Sequence, residues 1–157
     1  MLRLVEGIED VRGARWVIRF LVIVLGAWIP AQVISYAVRA IVPQPPGPDH
    51  FATPLRAVTA VILLAPILET LIMRFNFWAL KKLRIEGTTL LWVSALIWGG
   101  MHVQAEDYGL AAIWTFFVFG AVYLRVERVS GDRALLVTTA VHMVFNSFSY
   151  VLYLVLV

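Results

Sequence analysis

Four polar side chains are notable because they lie inside long apolar stretches of the sequence: Glu69, His102, His142 and Asn146. A charged side chain at the centre of a bilayer costs about 2.5 to 3.5 kcal/mol on insertion scales, so such residues usually face a protein interior or a water-filled cavity. A carboxylate, two imidazoles and a carboxamide can activate a water molecule and stabilise the oxyanion that its attack creates. These residues predict a hydrolytic site inside a membrane.

The spacing of these residues indicates which of them can work together. His142 and Asn146 are four residues apart in AVHMVFNSF, so in a helix their side chains share one face and can act on one substrate atom. Glu69 and Arg74 are five residues apart, which turns them about 140° from each other at 3.6 residues per turn. Arg74 is therefore not expected to be a same-face partner of Glu69, whereas Glu69 and His102 suit the activation of water.

Each of these residues also has a purely structural interpretation. Asn146 can form an interhelical hydrogen bond, which stabilises membrane proteins by about 0.6 kcal/mol on average. Glu69 can form an ion pair with Arg74 across helices, and a lone His102 can be a packing residue. Glu69, His102 and His142 are also the ligand types of some catalytic zinc sites, although the HExxH signature is absent. We therefore expect no cofactor and keep zinc as the alternative.

The composition is typical of a membrane protein. Hydrophobic residues make up 61% of the 157 residues and charged residues 15%, with a mean hydropathy of +0.85, against roughly 45 to 50% and about 25% in soluble domains. No cysteine is present, which excludes disulfides and thiolate chemistry. The net charge of +3 does not indicate a nucleic-acid partner, because the basic residues flank apolar runs instead of forming one patch.

The elements that must position the polar residues are membrane helices, because five stretches approach the length of about 20 residues that spans a bilayer. We expect an all-α, polytopic membrane helix bundle forming a single domain over 1–157. Residues 1–16 are expected to form an interfacial lead-in, and the proline-rich segment 43–54, which contains His50, to form a loop. The predicted spans are about 17–41, 54–80, 88–105, 109–125 and 134–157.

Lysine and arginine predict the orientation of these spans, because short loops enriched in them stay cytoplasmic. With five spans, ten such residues fall on one side and two on the other, which predicts a cytoplasmic N-terminus. We expect a bacterial inner (cytoplasmic) membrane. The ten residues are Arg3, Arg12, Arg15, Arg19, Lys81, Lys82, Arg84, Arg125, Arg128 and Arg133; the two are Arg39 and Arg56, on the side that also holds Glu106 and Asp107.

The depths of the polar residues overlap when they are counted from the cytoplasmic ends of the helices. At about 1.5 Å per residue, Glu69 lies roughly 20 Å from Lys82 and Asn146 roughly 20 Å from Arg133. His142 lies roughly 14 Å from Arg133. Different helices therefore bring polar groups to similar levels of the membrane.

Three motifs resemble a known family. They are ETLIMR at 69–74, WGGMH at 98–102 and HMVFN at 142–146. Their order is similar to EExxxR, FxxxH and HxxxN in the CPBP family (CAAX-prenyl proteases and bacteriocin-processing enzymes, also called Abi), which are glutamic-type intramembrane proteases. The resemblance covers roughly residues 60 to 150.

The resemblance implies a role for each matching residue. It implies that Glu69 and His102 activate the water, that His142 and Asn146 form the oxyanion site, and that Arg74 braces the pocket. Two positions depart from the family pattern: Thr70 replaces the second glutamate, and Trp98 replaces the phenylalanine. The tryptophan is still a large ring one turn from His102. Thr70 removes a carboxylate that could hold Arg74 or tune Glu69.

The predicted function is an intramembrane endopeptidase acting on a membrane-associated peptide or protein. Candidate substrates are bacteriocin-like leader peptides, C-terminal anchors and lipidated C-termini, among which the sequence does not choose. The alternatives are a catalytically inactive binding or immunity protein of the same family and a proton-coupled transporter subunit using Glu69 and the histidines as a relay. The sequence does not predict the oligomeric state.

Overall fold

The chain is described by a computed structural model over residues 13–41, 53–103 and 108–156, and these residues form helices and no strand. The predicted all-helical fold is therefore confirmed. The expectations for residues 1–12, for most of the proline-rich loop including His50, and for Glu106 and Asp107 lie outside the described residues. The five helices are α1 (Gly13–Ile41), α2 (Pro54–Lys82), α3 (Gly87–Met101), α4 (Tyr108–Glu127) and α5 (Gly131–Leu156).

Four of these helices, α1, α2, α4 and α5, are long and apolar enough to cross a membrane. Helix α3 differs from the predicted span over 88–105, because it has 15 residues and ends at Met101. At 1.5 Å per residue it is about 22 Å long, shorter than the roughly 30 Å hydrocarbon core. The backbone N–H of His102 bonds to the carbonyl of Gly99 at 3.1 Å, a tight closing turn that ends the helix. His102 therefore follows a short helix instead of lying within a full span.

Helix α4 forms the centre of the bundle. Its buried residues include Phe116, Phe119, Val122 and Tyr123, all at most 5% exposed. Helices α1, α3 and α5 pack against it, whereas α2 packs mainly against α5, and the long helices leave large apolar side chains exposed on their other sides. Such exposed apolar surface is what a lipid-facing helix requires. Examples are Ile18 and Val33 on α1, Phe75 and Trp78 on α2, and Leu136 and Val151 on α5.

Glycines allow α3 to pack closely against α4, and they make room on α4 for a side chain of α2. A β-carbon on Gly99 would lie 2.3 Å from the Ile113 side chain and 3.0 Å from the carbonyl oxygen of Gly109. A β-carbon on Gly120 would lie 2.9 Å from the ring of Phe77 on α2. Small residues at such interfaces let membrane helices gain van der Waals contact, which is a main source of their association.

Polar side chains connect the helices across these apolar interfaces. In membranes, interhelical hydrogen bonds of this kind add modest stability and fix which faces meet. Three of them join α1 to α4, α1 to α5 and α2 to α3. They run from Trp114 Nε1 to the Gly26 carbonyl, from Trp28 Nε1 to Ser149 Oγ and from Asn76 Nδ2 to Ser94 Oγ, each at 3.1 Å.

Charged residues gather at one end of the bundle. Lys81 Nζ lies 2.6 Å from Glu127 Oε2, which joins the C-terminal ends of α2 and α4. Arg74 Nη1 lies 3.6 Å from Asp132 Oδ1, near the N-terminal end of α5. The ends that the sequence assigns to one side of the membrane therefore meet in the structure. The cytoplasmic orientation itself stays a prediction.

Candidate active site

Helix α2 changes its hydrogen bonding just before the acidic residue. It is an α-helix over Pro54–Arg56, a π-helix over Ala57–Leu64 and an α-helix again over Ala65–Lys82. Pro66 is at the start of the second α-helical part and is buried. Because proline has no N–H, it interrupts the hydrogen bonding of the continuous helix, and the α-helical part that carries Glu69 begins next to it.

The carboxylate of Glu69 faces an imidazole from another helix. Glu69 Oε2 lies 3.5 Å from Nε2 of His142 on α5. This distance exceeds the 2.7–3.2 Å of most hydrogen bonds, so the two groups are neighbours with a loose contact. The Glu69 side chain is 25% exposed and that of His142 is 6% exposed. The carboxylate is therefore largely withdrawn from the surface, and it faces the protein interior on at least one side.

Aromatic rings surround His142. Its imidazole lies 4.5 Å from the ring of Phe119, 5.7 Å from that of Phe116 and 6.5 Å from that of Phe145, measured between ring centroids. These rings fix the orientation of the imidazole with Nε2 towards Glu69. The other nitrogen, Nδ1, is buried and has no hydrogen-bond partner among the residues that the structure describes.

His102 approaches the same aromatic cluster from the end of α3. Its Nδ1 lies 2.7 Å from the carbonyl oxygen of Trp98, and because a carbonyl only accepts, Nδ1 is the donor. In the neutral ring this leaves Nε2 with a free lone pair. The Trp98 ring stacks on Phe116 at 4.2 Å and 4°. Phe116 also lies 5.6 Å from the His102 ring, so both imidazoles contact the same phenylalanine.

Asn146 is engaged with the backbone of α2. Its Nδ2 donates a hydrogen bond of 2.8 Å to the carbonyl of Val61, within the π-helical part. The structural interpretation of Asn146 as an interhelical hydrogen bond therefore describes a contact that the structure contains. An amide nitrogen carries two hydrogens, so one donor of Asn146 is still available.

The side chains of the two supporting residues on α2 have partners other than Glu69. Arg74 pairs with Asp132 instead, and both side chains are substantially exposed, at 47% and 92%. Thr70, at the position of the missing glutamate, is buried and donates its hydroxyl to the carbonyl of Pro66 at 2.6 Å. The alternative ion pair of Glu69 with Arg74 is thus not what the structure contains.

The structure brings together some of the predicted site residues more closely than others. Glu69 and His142 are in contact, and His102 joins them through the shared Phe116. The sequence predicts that Glu69 works with His102, whereas the contact in the structure is with His142. The role of Val61 was missed, although Pro66 gives a signal, because a proline inside a continuous helix removes the N–H that would bond to a carbonyl one turn earlier. The sequence contains no feature that would predict the pairing of Asp132 with Arg74.

The described parts of the chain do not contain a group of side chains that could hold a metal ion. Across 13–41, 53–103 and 108–156, no three histidine, aspartate or glutamate side chains are grouped so that they could hold a metal ion. Glu69 and His142 together supply only two potential ligands. The expectation that no cofactor is needed stays a prediction.

Comparison with known proteins gives one family. The chain matches no curated protein and no solved structure. A family model described as "Type II CAAX prenyl endopeptidase Rce1-like" matches residues 51–148, which include all three motifs and helices α2 to α4. That match covers more than half of the chain and agrees with the resemblance inferred from the motifs. The chain therefore belongs to the Rce1-like family of type II CAAX prenyl endopeptidases.

Proposed function

We propose that the chain is an intramembrane endopeptidase that hydrolyses a peptide bond of a membrane-associated substrate, with Glu69, His102, His142 and Asn146 at its catalytic site. One observation carries this proposal. In a chain of an endopeptidase family, Glu69 Oε2 and His142 Nε2 come from separate helices and lie 3.5 Å apart. An imidazole this close to the general base can donate a hydrogen bond to the oxyanion that forms when the water activated by the base attacks.

Glu69 is the general base in this proposal. Its carboxylate takes a proton from water while the water oxygen forms a bond to the carbonyl carbon, and the carbonyl electrons move to oxygen. The proton is then passed to the amide nitrogen, the carbon–nitrogen bond breaks, and the products are a carboxyl end and an amine end. His102 assists by accepting a hydrogen bond from the same water at Nε2, since its Nδ1 is held by the Trp98 carbonyl.

The oxyanion formed in the first step needs hydrogen-bond donors. The second N–H of Asn146 is proposed as one donor, because the first is used on the Val61 carbonyl. His142 is proposed as the other, because it lies one turn earlier on the same face of α5. Removal of a single oxyanion donor costs about 10²- to 10³-fold in rate in other proteases.

The proposed substrates are peptides held at the membrane. They comprise bacteriocin-like leader peptides, C-terminal anchors and lipidated C-termini, and the family favours the CAAX-type C-terminus. The lipid-facing apolar surface of the helices would let such substrates approach from within the bilayer. The reaction is proposed without a metal or organic cofactor, and the membrane is proposed to be a bacterial inner membrane.

A second candidate is a catalytically inactive family member that binds a peptide or a partner membrane protein. Thr70 favours it, because its hydroxyl is used within α2 on Pro66 and supplies no carboxylate to the site. Such a protein would need the bundle and its lipid-facing surface but not the charge of Glu69. The same experiment separates the two candidates.

The experiment replaces Glu69 by Gln, which keeps the shape and removes the base. Membrane proteins that accumulate uncut in cells carrying Glu69→Gln are identified by mass spectrometry, and the purified protein is then tested on the corresponding peptide. We expect cleavage to fall about 10²-fold or more, with peptide binding retained. The matched control is Glu86→Gln, because Glu86 is exposed and its side chain makes no capping bond. Equal cleavage by both variants would overturn the proposed function.

A further inference from the structure

The π-helical part of α2 leaves one backbone carbonyl without its expected donor. The N–H of Ala65 bonds to the carbonyl of Ala60, five residues earlier, as a π-helix requires. In the same pattern the next donor would be residue 66, and its acceptor would be Val61. Residue 66 is proline, which has no N–H. The Val61 carbonyl must therefore find another donor or remain unsatisfied in an apolar environment, which is costly.

Asn146 on α5 supplies that donor. Its Nδ2 lies 2.8 Å from the Val61 oxygen, a normal length for such a bond. We propose that Asn146 is a positioning residue that replaces the N–H missing at Pro66 and thereby fixes where the π-helix of α2 ends. This inference goes beyond the proposed function, because it concerns the backbone of α2 and does not require a substrate.

The position of that junction determines the direction of Glu69. Glu69 follows Pro66 by three residues, and α- and π-helical residues advance through different angles around the axis. A shift of the junction by one residue would therefore rotate the carboxylate relative to His142. Helix α5 contacts α2 at two levels, with Asn146 at Val61 and His142 at Glu69. The first contact sets the register that the second one needs.

Thr70 makes a second side-chain hydrogen bond at the same junction. Its hydroxyl donates to the Pro66 carbonyl at 2.6 Å, and the side chain is buried. Two carbonyls near the junction therefore accept a side-chain hydrogen bond, that of Val61 from Asn146 and that of Pro66 from Thr70. In this chain the residue that replaces the second glutamate of the family pattern serves the backbone that carries Glu69.

A double-mutant cycle between positions 66 and 146 tests the proposal. Pro66→Ala restores an N–H at residue 66 that can bond to Val61, so it should make Asn146 dispensable for stability. Unfolding by SDS in mixed micelles is measured for the wild type, Pro66→Ala, Asn146→Ala and the double variant. We expect Asn146→Ala to raise the unfolding equilibrium constant by about threefold or more in the wild-type background, and by clearly less in the Pro66→Ala background.

Positioning is measured separately with cysteines, because the natural chain has none. Glu69→Cys and His142→Cys are introduced together, and the rate of linkage by a short thiol-reactive cross-linker is measured. We expect Asn146→Ala to slow this linkage and Pro66→Ala to restore it in the combined variant. A general loss of packing would not be reversed by a change at residue 66.

Asn76→Ala is the matched control. Like Asn146, Asn76 is a partly buried asparagine that bonds to another helix; it lies on α2 and donates to Ser94 on α3. Its effect should be equal in both backgrounds. If Asn146→Ala yields no folded protein, the same cycle uses Asn146→Ser. Equal losses with and without Pro66 would overturn the proposal. Since neither measurement uses a substrate, failure of the proposed protease activity would leave the result of this test unchanged.

Discussion

Glu69 and His142 come from two helices that run in opposite directions, and their side chains meet with Oε2 and Nε2 3.5 Å apart. This contact joins the first and the last motif of the sequence at one point of the bundle. The imidazole is held by aromatic rings, whereas the carboxylate follows a proline-marked junction in α2. Packing on both sides therefore determines one short distance, and the proposed catalytic role requires such an arrangement before the substrate binds.

The two histidines should both be needed for cleavage but differ in their effect on stability. His142→Ala and His102→Ala should each lower cleavage of an identified peptide about 10²-fold or more. His142→Ala should also destabilise the protein by about 2 kcal/mol, because it leaves a cavity between Phe116 and Phe119. His102 follows the end of α3 and is only partly buried, so its removal should cost less. SDS unfolding and peptide cleavage measure both effects.

Either histidine variant with full cleavage would exclude that histidine from the reaction. Full cleavage by His102→Ala with loss in His142→Ala would assign water activation to the Glu69–His142 pair alone. That outcome would contradict the role in water activation that the resemblance implies for His102. It would still agree with the contact between Glu69 and His142.

The pair of Arg74 and Asp132 should contribute little to stability. Both side chains are substantially exposed and 3.6 Å apart, and ion pairs of this kind contribute about 0 to 1 kcal/mol. Asp132→Asn should therefore change the stability by less than about 1 kcal/mol. It should also leave cleavage within about threefold of the wild type, because Asp132 does not contact Glu69 or either histidine.

Arg74→Gln distinguishes a pocket-bracing role from a surface role. If Arg74 acts only through Asp132, the two variants should have equal effects and the double variant should add nothing. A much larger loss of cleavage in Arg74→Gln than in Asp132→Asn would indicate that Arg74 reaches the substrate. The measurement is the double-mutant cycle in cleavage rate at constant salt.

The sequence predicts the membrane class and the site residues because both depend on local features. Glu69, His142 and Asn146 are conspicuous by their polarity in apolar segments, and their depth follows from counting residues along a helix. The contact of Asn146 with Val61 could not be predicted, since it depends on how far α5 is shifted along α2. The same holds for Arg74, whose partner Asp132 lies on another helix.

Helix α3 marks the other difference between sequence and structure. After Met101 no charged residue occurs before Glu106, so the sequence predicts a span to about residue 105. The structure ends the helix at Met101, where the N–H of His102 closes a tight turn onto Gly99. Hydropathy measures affinity for lipid and does not register where hydrogen bonding changes. This is why His102 is a cap residue and not a mid-helix one.

The ring of Trp98 should matter more than its indole nitrogen. Trp98 stacks on Phe116 at 4.2 Å, and its backbone carbonyl, not its side chain, holds His102. Trp98→Phe introduces the residue of the family pattern and should keep cleavage within about threefold of the wild type. Phenylalanine retains a ring, and it removes the indole N–H, which is buried without a hydrogen-bond partner among the described residues. Trp98→Ala should cost about 3 to 5 kcal/mol in stability and lower cleavage with it. A loss in Trp98→Phe as large as in Trp98→Ala would mean that the indole N–H itself is used.

Adjacent glycines on α3 provide a test of the close packing between α3 and α4. A β-carbon at Gly99 would lie 2.3 Å from Ile113 Cγ1 and 3.0 Å from the Gly109 carbonyl oxygen, whereas one at Gly100 would have no atom of another described element within 4 Å. Gly99→Ala should therefore destabilise the protein by about 1 to 3 kcal/mol, because Ile113 can rotate away but the Gly109 backbone cannot. Gly100→Ala should be neutral or stabilising by up to about 1 kcal/mol, since alanine favours a helix. SDS unfolding of the two variants measures the difference. Equal stability would mean that α3 and α4 pack less closely than the structure indicates, which would also loosen the Trp98 stack that supports His102.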